Sequence, residues 1–107
     1  MDTKKLFNDD LPAALARNAD DAKTIGAKFQ VNVTGTGEWF IDASSTGPLC
    51  KQGTDVADVT ITIAEEDLQT LLEDPQANTT QLFFQGKLKI AGNQMLAMKL
   101  TKLFAYT

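Results

Sequence analysis

The chain begins at helical spacing and then changes period. Asp10-Leu11-Pro12-Ala13-Ala14-Leu15-Ala16-Arg17 reads as a short helix. Asp10 is placed to cap it, and Pro12 falls in the first turn, where a missing N–H costs nothing. A further turn or two begins at Asn18, with Asp20 and Asp21 at its N-terminus, and stops near Gly26. Phe29, Val31 and Val33 then alternate with Gln30, Asn32 and Thr34, the period of a half-buried strand. Gly35-Thr36-Gly37 makes a tight connection, after which Trp39 and Ile41 resume the alternation against Glu38 and Asp42, so the pair reads as a hairpin. A turn over Ser44–Gly47 leads to a short third strand, Pro48–Gln52, and a loop from Gly53 to Asp58 to a fourth, built on Val59, Ile61 and Ile63.

Helical spacing returns at Ala64–Asp74, with Leu68, Leu71 and Leu72 on one side, three acids in the first turn and Pro75 as the stop. A short helix over Thr79–Gln85, a fifth strand over Lys87–Ala91 and a last helix from Asn93 to Phe104, capped by Asn93, complete the chain. The sum is α+β: one sheet, mainly antiparallel, with helices on one face.

Composition narrows the chemistry. At 107 residues, 43% of them hydrophobic, the chain supports one domain around one core. A net charge of -4 disfavours a general nucleic-acid binder. No apolar run approaches a membrane span, and MDTKKLFNDD lacks the apolar region of a secretory signal. The single cysteine, Cys50, excludes an internal disulfide and reads as apolar filler in a strand rather than a reactive thiol. Asn32-Val33-Thr34 and Asn78-Thr79-Thr80 match the glycosylation acceptor pattern by chance, the first of them inside a strand.

Histidine is absent, which removes Ser-His and Cys-His nucleophiles and His-rich zinc sites. A dinucleotide fingerprint is rejected at Gly35-Thr36-Gly37, because Phe40 replaces the third glycine and a strand follows instead of a helix. Glu65-Glu66-Asp67 points around a helix rather than at one ion, and is better read as complementing the helix dipole.

The last helix carries more apolar surface than one packing face needs. Leu96, Ala97, Leu100, Leu103 and Phe104 fall in a stripe about 120° wide, whereas Met95 and Met98 fall outside it with Lys99 and Lys102. Those methionines are exposed singly, pack on another subunit, or line an opening for an apolar ligand. The preceding Leu82-Phe83-Phe84 cannot all turn toward one core, and Gln85 and Gly86 add a polar contact and a backbone that permits close approach. Large apolar lining with few polar groups is what a lipid-sized pocket requires.

From about Phe29 to Leu103 the sequence resembles the sterol-carrier-protein-2 domain family, the nonspecific lipid-transfer module. The resemblance rests on Phe29-Gln30-Val31, Gly35-Thr36-Gly37-Glu38-Trp39, Ala57-Asp58-Val59-Thr60-Ile61-Thr62, Phe84-Gln85-Gly86-Lys87-Leu88-Lys89-Ile90 with Gly92-Asn93, and Met95-Leu96-Ala97-Met98-Lys99-Leu100. It implies a single five-stranded, mainly antiparallel sheet covered on one face by helices. A hydrophobic tunnel between them would hold a fatty acid, fatty acyl-CoA, sterol or phospholipid, without catalysis. Three departures stand out. Ala64 replaces a capping Ser or Thr, Ala43 follows Asp42 where Leu is usual, and Ala105-Tyr106-Thr107 is not the Ser-Lys-Leu type of peroxisomal address. The last of these favours a cytoplasmic, stand-alone protein of prokaryotic type.

On this reading Trp39, Leu71, Leu72, Phe83, Phe84, Met95 and Met98 line the tunnel, Leu103 and Phe104 form a mobile gate, and Gln85 meets a headgroup or carboxylate. Lys87, Lys89, Lys99 and Lys102 either flank the mouth or form a solvated basic face. The expected partner is a long-chain lipid, with no nucleic acid, cofactor or metal, at most transient membrane contact, and a monomer or weak homodimer. An empty ~300 Å³ cavity would cost about 7 kcal/mol, so the empty form is expected to be loose or collapsed. The first alternative is an interaction or dimerisation module serving a lipid-metabolising enzyme. The second, a carboxylate-only enzyme using Asp42, Asp55 or Asp58, has no support in the spacing.

Overall fold

The computed structural model describes Asp2–Thr107. Five strands form one sheet in the order β3-β2-β1-β4-β5: β1 Ala27–Thr34, β2 Gly37–Ala43, β3 Leu49–Gln52, β4 Val59–Ala64 and β5 Leu88–Gly92. Every neighbouring pair is antiparallel except β1–β4, which is parallel with Val31 opposite Ile61. The parallel step is the crossover that lets the β1–β2–β3 meander and the β4–β5 pair share one sheet.

The helices are α1 Thr3–Lys5, α2 Leu11–Arg17, α3 Ala19–Lys23, α4 Glu65–Glu73, α5 Pro75–Phe84 and α6 Gln94–Ala105. Phe29, Val31 and Val33, Trp39 and Ile41, then Val59, Ile61 and Ile63 point to one face and are buried, while Phe40, with Lys51 over its ring, is buried on the other. The first is the face on which the helices pack, as the alternation requires.

The first helix starts earlier than its pattern suggested. Asp10 does not cap it; the residue is itself helical and makes an ion pair with Lys5 at 2.8 Å. The cap is Asp2, whose carboxylate accepts from the Lys5 N–H at 3.1 Å. Between α1 and α2 the residues Leu6–Asp10 widen to π-helical spacing, with Leu11 N–H bonded to the Leu6 carbonyl. A widened turn there accommodates Pro12, which cannot donate and would otherwise crowd the carbonyl four residues before it.

Pro75 likewise opens a helix rather than merely ending one. Asp74 caps α5 by accepting from Ala77 N–H at 3.3 Å, and Pro75 takes the first helical position. This helix therefore runs over ten residues where the sequence suggested a short one. Asn93 caps α6 as its position predicts, accepting from Met95 N–H at 2.9 Å. Ala64 supplies no capping oxygen to α4.

Two glycines are fixed by geometry. Gly86 turns the chain from α5 into β5 at φ +76°, and Gly92 ends β5 at φ +109°, where a Cβ would lie 2.7 Å from the Asp58 carbonyl oxygen.

Candidate functional site

The helical layer meets the sheet in two places. Toward β2 and β3, the π-helical stretch carries Phe7 onto Trp39, ring centroids 4.6 Å apart and nearly parallel, and Leu11 and Leu15 are buried beside them. The Trp39 indole N–H donates to Asn8 Oδ1 at 2.9 Å, so its one polar atom is satisfied by the same stretch. Cys50 packs against this cluster, with its thiol 3.2 Å from the Phe7 carbonyl; burial pushes the thiol up to about 12, which makes it inert filler.

Toward β1, β4 and β5, helices α4, α5 and α6 close over an apolar cavity of about 10 Å³. Its floor is Val31, Ile61, Ile63 and Leu88; its roof is Leu68 and Leu71 of α4, Thr79 of α5, and Ala97, Leu100, Thr101 and Phe104 of α6. The two hydroxyls do not make it polar. Thr79 donates to the Pro75 carbonyl at 2.6 Å and Thr101 to the Met98 carbonyl at 2.8 Å, each satisfied within its own helix. The tunnel that the family resemblance implies is therefore closed down to room for at most one water.

Phe104 has a second face. It also lines an open cleft of about 400 Å³ whose walls include Leu6, Ala13, Leu72, Pro75 and Ala105, with Asp10 and Arg17 among its polar residues. Asp10 is held by Lys5, whereas Arg17 has no ion pair among the described residues. Phe104 thus borders both the small apolar cavity and the larger cleft, and its ring meets Phe7 edge-on at 6.0 Å.

The expected lining residues are dispersed. Leu71 and Phe104 do wall the cavity, and Leu72 walls the outer cleft. Trp39 does not border the cavity; it is stacked under Phe7, away from it. Leu103 is fully buried in the core rather than poised at an opening. Phe83 packs partly against the core, while Phe84, Met95 and Met98 face solvent, because helical geometry turns only Leu82 inward from the first run and only Ala97, Leu100, Leu103 and Phe104 from the second. Gln85 is an exposed cap residue at the end of α5 and borders neither space. The strand residues of the floor and Ala97 and Leu100 were legible as core but not as lining. Arg17 carried no signal at all, since it enters the site only through the packing of α2 beside α6.

The end of α6 is clasped at the surface. Lys102 pairs with Asp21 at 3.3 Å, and Tyr106 donates to the same carboxylate. Hydrogen bonds from Tyr106 and Lys102 hold Asp21 below its ordinary range, while burial and that bond push Tyr106 up to about 12. The acids offered for a carboxylate-only enzyme are occupied separately. Asp42 accepts from Ser44 and Thr46 in its turn, Asp55 pairs with Lys51 at 3.0 Å, and Asp58 accepts from Lys28 N–H at 2.9 Å. Among the described residues no group of three or more His, Cys, Asp and Glu side chains is placed to hold a metal ion, and no helix is long and apolar enough to cross a membrane.

This architecture has relatives. The model of the SCP-2 sterol transfer family matches residues 8–105. The chain belongs to that family of lipid-binding and lipid-transfer domains. It is 46% identical over 66 residues to sterol carrier protein 2 of Rattus norvegicus, covering 61% of this chain and 12% of that one. It is 36% identical over 88 residues to hydroxysteroid dehydrogenase-like protein 2 of Bos taurus, covering 78% of this chain and 21% of that one. The chain thus spans a small part of these relatives' lengths. Among solved structures, sterol carrier protein domain 2 of Helicoverpa armigera superposes with a TM-score of 0.70 at 31% identity, covering 98% of this chain and 91% of that one. Palmitated SCP2L2 of Aedes aegypti gives a TM-score of 0.72 at 23% identity, covering 97% and 95%, a likeness of fold.

Proposed function

We propose that this domain carries a long acyl chain beneath its sheet, entering from the outer cleft past Phe104. The observation that carries the reading is the shared wall: one side chain, Phe104, borders both the apolar cavity and the open cleft. A long chain needs on the order of 300 Å³. The cavity alone offers about 10 Å³ and the cleft about 400 Å³, so binding requires that Phe104 and the roof of α6 yield and the two spaces merge. The roof is suited to it. It rests on aliphatic packing and on a surface clasp to Asp21 that costs little to open.

Arg17, on the cleft wall and without an ion pair among the described residues, takes the anionic end of the ligand, the role expected of Gln85. The carrying role asks for no catalytic group, in keeping with a chain that has no histidine.

The test is thermal unfolding with and without ligand. Palmitate at about 100 times its dissociation constant is expected to add roughly 2.7 kcal/mol of stability and raise Tm accordingly. Arg17→Gln is expected to weaken palmitate but not the uncharged hexadecanol. No shift with palmitate or palmitoyl-CoA at tens of micromolar would overturn the reading; a shift that survives Arg17→Gln for the acid would remove Arg17 from it.

A further inference from the structure

Lys99, Lys102 and Tyr106 recur at spacings of three and four residues, which places them within about 60° of one another around α6 and the residue that follows it. The opposite side of the helix is the roof of the cavity, bordered by Ala97, Leu100 and Phe104. The three polar side chains land on one short segment. Lys99 Nζ reaches the Ile25 carbonyl at 3.5 Å, Lys102 Nζ lies 3.3 Å from Asp21 Oδ1, and the Tyr106 hydroxyl donates to Asp21 Oδ2. One carboxylate thus gives a separate oxygen to each of two groups that flank Phe104 in the chain. Burial and the bond to Asp21 push Tyr106 up to about 12, so its proton stays in place for donation at neutral pH.

The receiving segment is fixed to the rest of the fold. Ala22 and Ile25 are buried in the core, and Gly26 N–H donates to the Ala43 carbonyl at the end of β2 at 2.9 Å. The inner face of α6, by contrast, makes its contacts through apolar side chains, and Thr101 is satisfied within the helix. Directed restraint on α6 therefore sits at its C-terminal end, beside the residue that borders both the cavity and the cleft. Asp21 and Lys102 are both half exposed, so their contact adds little stability and parts readily. A weak contact so placed is suited to controlling a movement rather than to holding the fold.

We propose that Asp21 is a positioning residue that latches α6 shut and so sets the fraction of molecules open to an acyl chain. The latch rests on the acyl-chain reading, since what it controls is passage beside Phe104. With about 10 Å³ under the roof the closed form admits no chain, and the open form is reached when the clasp parts. A ligand that binds only the open form has its affinity reduced by the open fraction. Its association is slowed likewise. Removing Asp21 should therefore loosen the empty protein and tighten its ligand together. A contact that merely supported the fold would do the reverse, because its loss would also weaken the form that binds.

Native amide hydrogen exchange without ligand, and palmitate binding, test this on the same variants. In Asp21→Ala the amides of residues 100–105 are expected to exchange about five- to tenfold faster, with palmitate associating faster and binding tighter by the same factor. Exchange in residues 29–33 should stay at the wild-type rate. Tyr106→Phe, which loses one of the two contacts, should show about a two- to threefold change in the same direction. Asp20→Ala, an exposed acid of the same helix without an ion pair among the described residues, should behave as wild type. Asp21→Lys/Lys102→Asp restores the pair in reverse and should slow the exchange that Asp21→Lys alone speeds. Wild-type exchange across α6 in Asp21→Ala, an equal change in Asp20→Ala, or faster exchange joined to unchanged or weaker palmitate binding would overturn the latch. A failure of the acyl-chain reading shows separately, as wild-type protein that gives no palmitate signal, and removes the latch's role with it.

Discussion

Under β2 and β3, Phe7 is stacked on Trp39, Leu11 and Leu15 are fully enclosed, and the indole N–H is bonded to Asn8. Under β1, β4 and β5 the same sheet meets Leu68, Leu71, Ala97 and Leu100, with a threonine on each of α5 and α6, and leaves a cavity. One half is held by a ring from the π-helical stretch stacked on a strand tryptophan; the other is roofed by three helices contributing short or flexible side chains. The difference teaches where a binding protein keeps its freedom to open. Ring stacking plus a directed hydrogen bond fixes one arrangement, whereas aliphatic contacts between helices slide at small cost. Phe104 stands at the seam, edge-on to Phe7 on one side and walling the cavity on the other.

The comparison breaks most visibly at Phe7. Phe7→Ala is expected to cost about 3–5 kcal/mol in denaturant unfolding, as it removes a fully buried ring and uncovers Trp39. Leu71→Ala, beside an existing cavity, is expected at the low end of its class, about 2 kcal/mol, and should leave palmitate binding intact. Equal costs at the two positions would mean that the halves are equally rigid.

A smaller effect comes from filling the cavity. Ala97→Leu adds side chain where about 10 Å³ is free, and is expected to cost about 1–3 kcal/mol through overpacking. Its sharper readout is the loss of the palmitate-induced rise in Tm. A variant that keeps that rise would place the acyl chain elsewhere than under α6.

The smallest concerns the tie between the halves. Glu65 of α4 accepts from Thr36 at 2.8 Å and also from Thr3 of α1, with Gln69 at 3.3 Å, so one carboxylate joins the first helix, the hairpin turn and the cavity roof. Partial burial works to raise its pKa, but the hydrogen bonds from Thr3, Thr36 and Gln69 prevail and hold it below the ordinary value of 4.5. A group depressed in the folded state stabilises above its unfolded pKa, and that stability is lost as pH falls through the folded value. Unfolding measured from neutral pH downward should therefore weaken below about 4.5, and Glu65→Gln should be slightly less stable at neutral pH with a shallower acid limb. An unchanged limb would show that the tie carries no stability.

Much of this was legible in the residues. The alternation of Phe29, Val31 and Val33 and of Val59, Ile61 and Ile63 marked both strands and their buried face, because a period of two leaves no freedom about which side chains turn inward. The Asn93 cap and the outward placement of Met95 and Met98 followed from helical geometry. The Asp10 cap failed because a carboxylate at a helix start is equally suited to pair with a lysine one turn before, and Lys5 was there. Trp39 does not border this cavity because it is stacked under Phe7, which lies 32 residues earlier in the chain, in a stretch with no helical pattern of its own.

The sequence by itself determined the sheet, its buried face, the helices that cover it and the family to which the chain belongs, since all of these rest on local periodicity and short motifs. Only the tertiary structure decided which apolar residues became wall and which became rigid core. That division depends on side chains from distant segments meeting across the sheet, where Phe7 closes one half by stacking and Ala97 is among the small side chains that border a residual cavity in the other.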